Sequence, residues 1–259
     1  MSFIAFQQEI QAQTDKRIHM AQPLNEDQVM TIDGYLHEEV WNNSGNTWSG
    51  DFIQRLPNEN EAPTQQTTFT VFYDNKYLYI GILAHDEAMD LINQRMSRRD
   101  GYNGDWIEVI IDGYHDLRSA ASFSLSAAGV KSDKYISLNG AEEDIAWNPI
   151  WYANSALNEN GWTAEMKIPL SQLRFGKARE QTWGLQVQRR ILRKEELSVW
   201  QRVPLDAPGW VSEFGELHGL MNLRPQKQLE VQPFTVGSLN TFEKEPNNPY
   251  RNKNKLNLN

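Results

Sequence analysis

Residues 67–83 read TTFTVFYDNKYLYIGIL, and this stretch predicts two paired β-strands. Residues 67–73 are β-branched or aromatic throughout, a composition that favours strands. Asp74 and Asn75 form a turn signal, and residues 77–83 supply the returning strand. Because both runs are apolar on both faces, we predict a central hairpin in a sheet that is covered on each side.

Further strands are predicted on the C-terminal side of this hairpin. Residues 106–112 alternate, with Ile107 and Val109 on one face and Trp106 and Glu108 on the other. Comparable runs recur along the chain, at residues 122–127, 162–168, 183–191, 199–203 and 229–234. Many strands with Gly and Asn turns between them predict an all-β fold, an antiparallel sandwich of jelly-roll or immunoglobulin-like type.

Little of the sequence has helical periodicity. Asp33 is predicted to cap a short helix that carries Trp41, and residues 88–96 and 171–175 are predicted as short helical turns. Residues 42–66 contain clustered Asn, Ser, Gly and Pro, which indicates a long loop.

The composition excludes several classes of function. The 259 residues carry a formal net charge of −9, which argues against nucleic acid as a partner. The absence of Cys excludes disulfides, thiolate catalysis and zinc–thiolate sites. A hydrophobic fraction of 39% is enough for a buried core, and nine Trp supply flat rings for that core or for a ligand.

The ends of the chain differ from its middle. Residues 2–13 read SFIAFQQEIQAQ, which fits either the end of a secretory signal or an ordinary terminus. We predict a signal remnant and an extended arm over residues 1–29 and a sandwich over residues 30–225. Residues 226–259 are predicted to begin a truncated C-terminal region, because their last part is rich in Asn, Lys and Pro.

Short motifs spread over residues 30–235 carry a family resemblance. They are Ile32-Asp33-Gly34, Phe72-Tyr73-Asp74, Arg98-Arg99-Asp100, residues 105–112, Ala128-Gly129-Val130, Gly161-Trp162-Thr163, Leu173-Arg174-Phe175, Trp183-Gly184 and Phe214-Gly215-Glu216. In order and spacing they resemble the family 9-like carbohydrate-binding module at the N-terminus of large outer-membrane proteins of Bacteroidetes. Those proteins continue through a domain of unknown function into a membrane β-barrel.

The resemblance implies a non-catalytic sandwich that holds an oligo- or polysaccharide between aromatic rings, often with bound calcium. It places the first ring at Tyr102, the polar anchors at Asn103 and Glu108, and the second ring at Trp210. An Arg of the family falls at Ser124, which cannot make the same contact. The resemblance also implies secretion across the inner membrane to the periplasm or the outer-membrane surface, with the chain's own barrel as partner.

Other residues admit two interpretations. Trp147 and Trp151 form either a second platform or part of the core, and the acids at Asp112 and Asp116 form either a calcium site or a solvated loop. The arginines at residues 98–99 and at 189, 190 and 193 bind either an anionic sugar or the abundant acids.

No motif of the sequence indicates catalysis. It has no nucleophile elbow and no metal-binding His spacing, and it has no carboxylate pair that stands out from the other acids. Two hypotheses therefore stay open ahead of a hydrolase. One is a sugar-binding module, and the other is a structural or interaction domain that docks onto the barrel or a partner protein.

Overall fold

The computed structural model describes residues 16–25, 28–43, 45–101, 103–225, 235–240 and 255–258. Residues 1–226 form one compact unit and residues 227–259 a second. In the second unit, β15 (Gly237–Asn240) pairs antiparallel with β16 (Lys255–Leu258). The strand predicted at residues 229–234 lies outside the described residues.

The first unit is a sandwich of two sheets, as the sequence predicts. The larger sheet has nine strands among the described residues and runs β1 (Ile18–Met20), β14 (Gly215–Met221), β12 (Glu180–Ile191), β6 (Trp106–Asp112), β7 (Ala120–Ser126), β8 (Lys131–Ser137), β9 (Glu142–Asp144), with β13 (Glu196–Val199) on β12 and β3 (Ile53–Leu56) on β13. The smaller sheet has five strands and runs β10 (Tyr152–Asn158), β11 (Gly161–Pro169), β5 (Tyr77–His85), β4 (Thr67–Tyr73), β2 (Gln22–Pro23).

The predicted hairpin lies inside the smaller sheet. Strands β4 and β5 pair antiparallel and are flanked by β2 and β11. Their inward side chains join the main core between the sheets, and their outward Phe72 and Tyr79 are covered by Trp41 and Val40. Because both faces are covered, the apolar composition on both sides of this hairpin is explained.

Helices are few and short in the described part of the chain. The α-helix α1 has four residues (Glu39–Asn42), and the 3-10 turns are Met89–Leu91, Leu138–Gly140, Leu170–Gln172, Leu192–Lys194 and Val211–Glu213. None of these helices is long and apolar enough to cross a membrane.

Two local predictions were wrong. Asp33 does not cap α1; its side chain accepts a hydrogen bond from the Tyr35 backbone N–H at 2.9 Å, and Glu38 occupies the cap position. The stretch predicted as a loop contains β3, which pairs with β13. Pairing with a distant strand outweighed the turn-rich local composition in this case.

The segment before residue 30, predicted as an extended arm, contributes to both sheets. Strand β1 pairs parallel with β14 at the edge of the larger sheet, and β2 pairs parallel with β4 at the edge of the smaller one. Only Ala21 separates the two strands, and its N–H donates to the His218 carbonyl at 2.9 Å.

Candidate functional site

Polar side chains gather on the outer face of the nine-stranded sheet. Strand alternation sends Ile107 and Val109 into the core and leaves Glu108 on the outside. Cross-strand register then places Gln188 of β12 and Ser124 of β7 directly opposite Glu108. We call this face, with Glu108, Ser122, Ser124, Ser132, Lys134 and Gln188, the polar row.

Glu108 is the most constrained member of the polar row. Only 1% of the residue is exposed. The Ser122 hydroxyl donates to one carboxylate oxygen and the Gln188 amide to the other. The Lys134 ammonium lies 3.5 Å from the first oxygen. A buried carboxylate needs such partners because desolvation would otherwise disfavour its charge, and together they fix its orientation.

Lys134 connects the polar row to an exposed acid outside it. Its Nζ atom lies 2.9 Å from a carboxylate oxygen of Glu143, whose side chain is 48% exposed. The lysine therefore shares its charge between a buried acid and a solvated one. Removing Glu143 removes only the solvated partner, which makes this residue a useful control.

Trp210 lies just before the 3-10 turn that precedes β14. It packs against a small apolar cluster on the same outer face that contains Ile110 of β6 and Phe214. The Trp210 and Phe214 rings meet edge-on with centroids 5.4 Å apart, and the Arg55 guanidinium lies 4.6 Å from the Trp210 centroid. Arg55 thus stacks over the half-buried Trp210 ring.

The four residues that the resemblance selected have different positions. Glu108 lies on the outer face, and Trp210 packs against the apolar cluster of that face. Asn103 precedes β6 with an exposed side chain, and Tyr102 lies outside the described residues. Their roles in sugar binding stay predictions.

Sequence reasoning missed Gln188 and Lys134. Gln188 sits on the polar side of an alternating strand, so its orientation could have been predicted. That β12 lies next to β6, however, is a matter of topology, since 67 residues lie between the end of β6 at Asp112 and the start of β12 at Glu180, and no turn links the strands directly. The alternating serines of β7 were visible, and the register shows that Ser124 faces Glu108.

The two Trp residues around Pro149 belong mainly to the core. Trp151 is 1% exposed and packs edge-on against Phe123, with ring centroids 5.3 Å apart. Its indole N–H donates to Asp133 at 3.0 Å. Trp147 packs partly buried against the same Phe123. The core interpretation of this pair is therefore the better one.

The arginine clusters pair with acids. Arg99 contacts Asp133 at 2.5 Å. Arg193 donates to both carboxylate oxygens of Asp86, at 2.7 and 2.8 Å, and buried Arg189 lies 3.7 Å from the same acid. These contacts support the ion-pair interpretation rather than an anionic-sugar site at these residues.

The acids considered for calcium are engaged with their own loop. Asp112 accepts hydrogen bonds from the backbone N–H groups of Asp116 and Leu117, and Asp116 accepts from Arg118 and Ser119. In the part of the chain that the structure describes, no three acidic or histidine side chains gather as a metal site would require. Calcium binding stays a prediction from the resemblance.

Solved structures share this architecture. A family 9 carbohydrate-binding module from Caldicellulosiruptor kristjanssonii, solved with glucose, is 16% identical and superimposes with a TM-score of 0.57 over 84% of this chain and 100% of its own. The module from the same organism solved with cellotriose is 16% identical, with a TM-score of 0.56 over 84% and 99%. A Bacteroides uniformis protein, whose carbohydrate binding is a provisional assignment, is 12% identical, with a TM-score of 0.63 over 78% and 99%.

Sequence comparison gives the family. No curated protein sequence matches the chain. The sequence model of the "carbohydrate family 9 binding domain-like" family matches residues 32–196, which is more than half of the chain and spans most of both sheets. Family 9 modules bind carbohydrate and are not catalytic, so the prediction of a non-enzymatic domain agrees with the match. This chain belongs to the carbohydrate family 9 binding domain-like family.

Proposed function

We propose that the polar row binds a neutral oligosaccharide. Glu108 serves as a buried acceptor for sugar hydroxyls, and Trp210 as an aromatic platform for a sugar ring. Tyr102 and Asn103, which the resemblance selects, complete the proposed site as a second ring and a polar anchor. The observation that carries the proposal is a hydrogen-bonded carboxylate on the same sheet face as a half-buried tryptophan, because sugar sites combine oriented polar groups with flat apolar surfaces.

The ligand class comes from the structural neighbours. The two Caldicellulosiruptor modules were solved with glucose and with cellotriose. We therefore propose β-linked glucose chains as the first ligands to test on this chain. Xylotriose and mannotriose serve as comparison sugars of similar length and different stereochemistry.

The proposal is tested by calorimetric titration of cellotriose into the unmodified full chain and into its Glu108→Gln variant. We expect the variant to weaken binding by about tenfold or more, because a hydrogen bond to a charged group contributes about 1.5–3 kcal/mol. Trp210→Ala should weaken binding by about three- to tenfold through lost ring contact.

Glu143→Gln is the matched control, because it removes the other acid that pairs with Lys134. It should bind cellotriose as the unmodified chain does. Melting temperatures of all three variants separate lost binding from lost folding. If a folded, unmodified chain binds none of the sugars, the proposal is wrong.

A structural or interaction domain is the second candidate function. It is favoured by two observations: Arg55 stacks on Trp210, and the Glu108 oxygens are both engaged within the protein. The Ser124 position, where the family has an Arg, points the same way. Failure of all sugars, together with recovery of a partner protein by cross-linking in the native cell, would support this function.

The proposed location follows from the resemblance. We propose that the chain is secreted across the inner membrane and works in the periplasm or at the outer-membrane surface, beside a barrel of its own polypeptide. Cell fractionation and protease treatment of intact cells test this. Recovery of the protein in the cytoplasmic fraction would contradict it.

A further inference from the structure

A second groove lies at an edge of the sandwich, where the five-stranded sheet supplies most of its lining and β8 of the nine-stranded sheet supplies Lys131. It runs along the five-stranded sheet near its β10 edge and has a volume of about 460 Å³. That volume is within the range of small-molecule sites. We call it the tyrosine–lysine groove, and its lining residues are Met30, Ile32, Tyr77, Lys131, Tyr152, Ala153 and Lys167.

Strand register sets the floor of this groove. Lys167 of β11 lies directly between Tyr152 of β10 and Tyr79 of β5. Its ammonium is 4.3 Å from the centroid of the Tyr77 ring and 5.4 Å from that of Tyr79. Tyr152 is 49% exposed. The floor therefore presents an accessible ring next to a lysine that is held by neighbouring rings.

The two lysines of the groove have no acidic partner within 4.0 Å among the residues that the structure describes. Lys131 instead donates to the Trp151 carbonyl at 2.8 Å. Burial lowers its pKa and the nearby Arg99 lowers it further, whereas the charge of Asp133 raises it. Since the chain has nine more acids than bases, two lysines without an acid in one groove are unexpected.

Three acids close to the groove are already engaged. Asp133 pairs with Arg99 at 2.5 Å, and Asp74 accepts the Tyr79 hydroxyl at 2.9 Å. Glu165, also on the outer side of β11, is fully buried beneath the segment that carries Gly34. A ligand in the groove therefore meets two ammonium groups, and these three acids have other partners.

The opposite wall is apolar and firmly attached. Met30 and Ile32 join the small core formed by Trp41 and its neighbours. The Glu165 carboxylate accepts the Asp33 and Gly34 N–H groups at 2.9 and 2.8 Å, which ties this segment to the sheet. The groove thus combines an exposed ring, an apolar wall and two cations in one preformed surface.

We propose that the tyrosine–lysine groove binds an anionic sugar, a uronic acid unit whose ring stacks on Tyr152 and whose carboxylate meets Lys167 and Lys131. A neutral sugar would leave both ammonium groups without a counter-charge. A free anion such as phosphate would leave the tyrosine and the apolar wall unused. The site is separate from the polar row and does not depend on the function proposed there.

Calorimetric titration of the full chain tests this with trigalacturonate and with its neutral methyl ester. The acid should bind at least about tenfold more tightly than the ester, because charge-assisted hydrogen bonds to the lysines are lost on esterification. A sulfated trisaccharide distinguishes a carboxylate site from a general anion site. Binding of the acid and the ester with equal affinity, or no binding of the acid, would overturn the proposal, as would tighter binding of the sulfated sugar than of the uronate.

Lys167→Met should abolish the preference for the acid. Lys76→Met is the matched control, because Lys76 is an exposed lysine in the adjacent turn and does not line the groove. Equal loss in both variants would contradict the proposal. If Lys167→Met does not fold, Tyr152→Ala replaces it, since this side chain is half exposed on an edge strand. Cellotriose binding, measured in the same variants, reports on the polar row independently.

Discussion

The two outer faces of the sandwich differ in whether their charged side chains are paired with a group of opposite charge. On the nine-stranded sheet, Glu108 is buried and its oxygens are met by Ser122, Gln188 and Lys134. On the five-stranded sheet, Lys167 lies against tyrosine rings with no acid in ion-pair range among the described residues. A charge that is already paired can orient a neutral ligand, whereas an unpaired one attracts a ligand of opposite charge.

The largest predicted effect comes from detaching residues 33–41 from the outer face of the five-stranded sheet. Glu165→Ala removes the acceptor of three donors, the Asp33 and Gly34 N–H groups and the Trp41 indole N–H. We expect a loss of about 3–5 kcal/mol in the free energy of unfolding, because each buried unpaired donor costs about 1–3 kcal/mol. Urea denaturation measures it.

Glu39→Ala is the control for this variant. Glu39 is an exposed acid in α1, so its removal should change the free energy of unfolding by less than about 0.5 kcal/mol. A loss in Glu165→Ala no larger than in Glu39→Ala would show that the carboxylate does not hold the segment.

A second, smaller predicted effect is a pH dependence of the free energy of unfolding. Burial raises the pKa of Glu165 from 4.5 to about 7, and the nearby Glu38 adds to the shift against the hydrogen bonds that oppose it. The folded chain therefore holds this proton more tightly than the unfolded chain. The resulting stabilisation, about 3 kcal/mol, is complete below pH 4.5 and is lost as the pH rises through 7.

Denaturation at several pH values between 4 and 8 measures this dependence. Glu165→Gln, which has no ionisable group at this position, should lose the corresponding slope, and Glu39→Gln should keep it. An unchanged slope in Glu165→Gln would assign the dependence to other acids. Above pH 7 the wall of the tyrosine–lysine groove should be less stable.

The smallest predicted effect concerns Trp210, on the outer face of the nine-stranded sheet. Arg55→Ala uncovers the Trp210 ring, which the guanidinium contacts at 4.6 Å. We expect cellotriose to bind about two- to fivefold more tightly, since a cation–π contact of about 0.5–1 kcal/mol no longer competes with the sugar. Unchanged or weaker affinity, measured by calorimetry, would argue that Trp210 is not a platform.

The local sequence pattern was sufficient to predict the fold class, but not to predict which residues meet in the polar row. The β4–β5 hairpin and the alternation around Glu108 follow from side-chain chemistry and strand geometry, and both were confirmed. The neighbours of Glu108 on β12 depend on which strands meet across the sheet, which local composition does not encode. The same reason explains why β3 was missed, because its partner β13 lies far away in the chain.

The groove on the five-stranded sheet was also beyond sequence reasoning. Tyr77 and Lys167 belong to strands that meet only through antiparallel pairing of β5 with β11. Their relation to Met30 depends on how the chain directly after the predicted arm packs on this sheet, which no local pattern indicates. The wrong cap assignment at Asp33 has a local reason, because a short polar side chain bonds equally well to a nearby turn N–H.

The crossing of the chain at Ala21 has a mechanical consequence. One short segment closes an edge of each sheet, through β1 on β14 and β2 on β4. Peeling it away would bare two rows of backbone donors and acceptors at once, one per layer, and such rows invite strand exchange between molecules. The segment therefore protects one edge of each sheet against pairing with another molecule, and both edges become exposed together if it detaches.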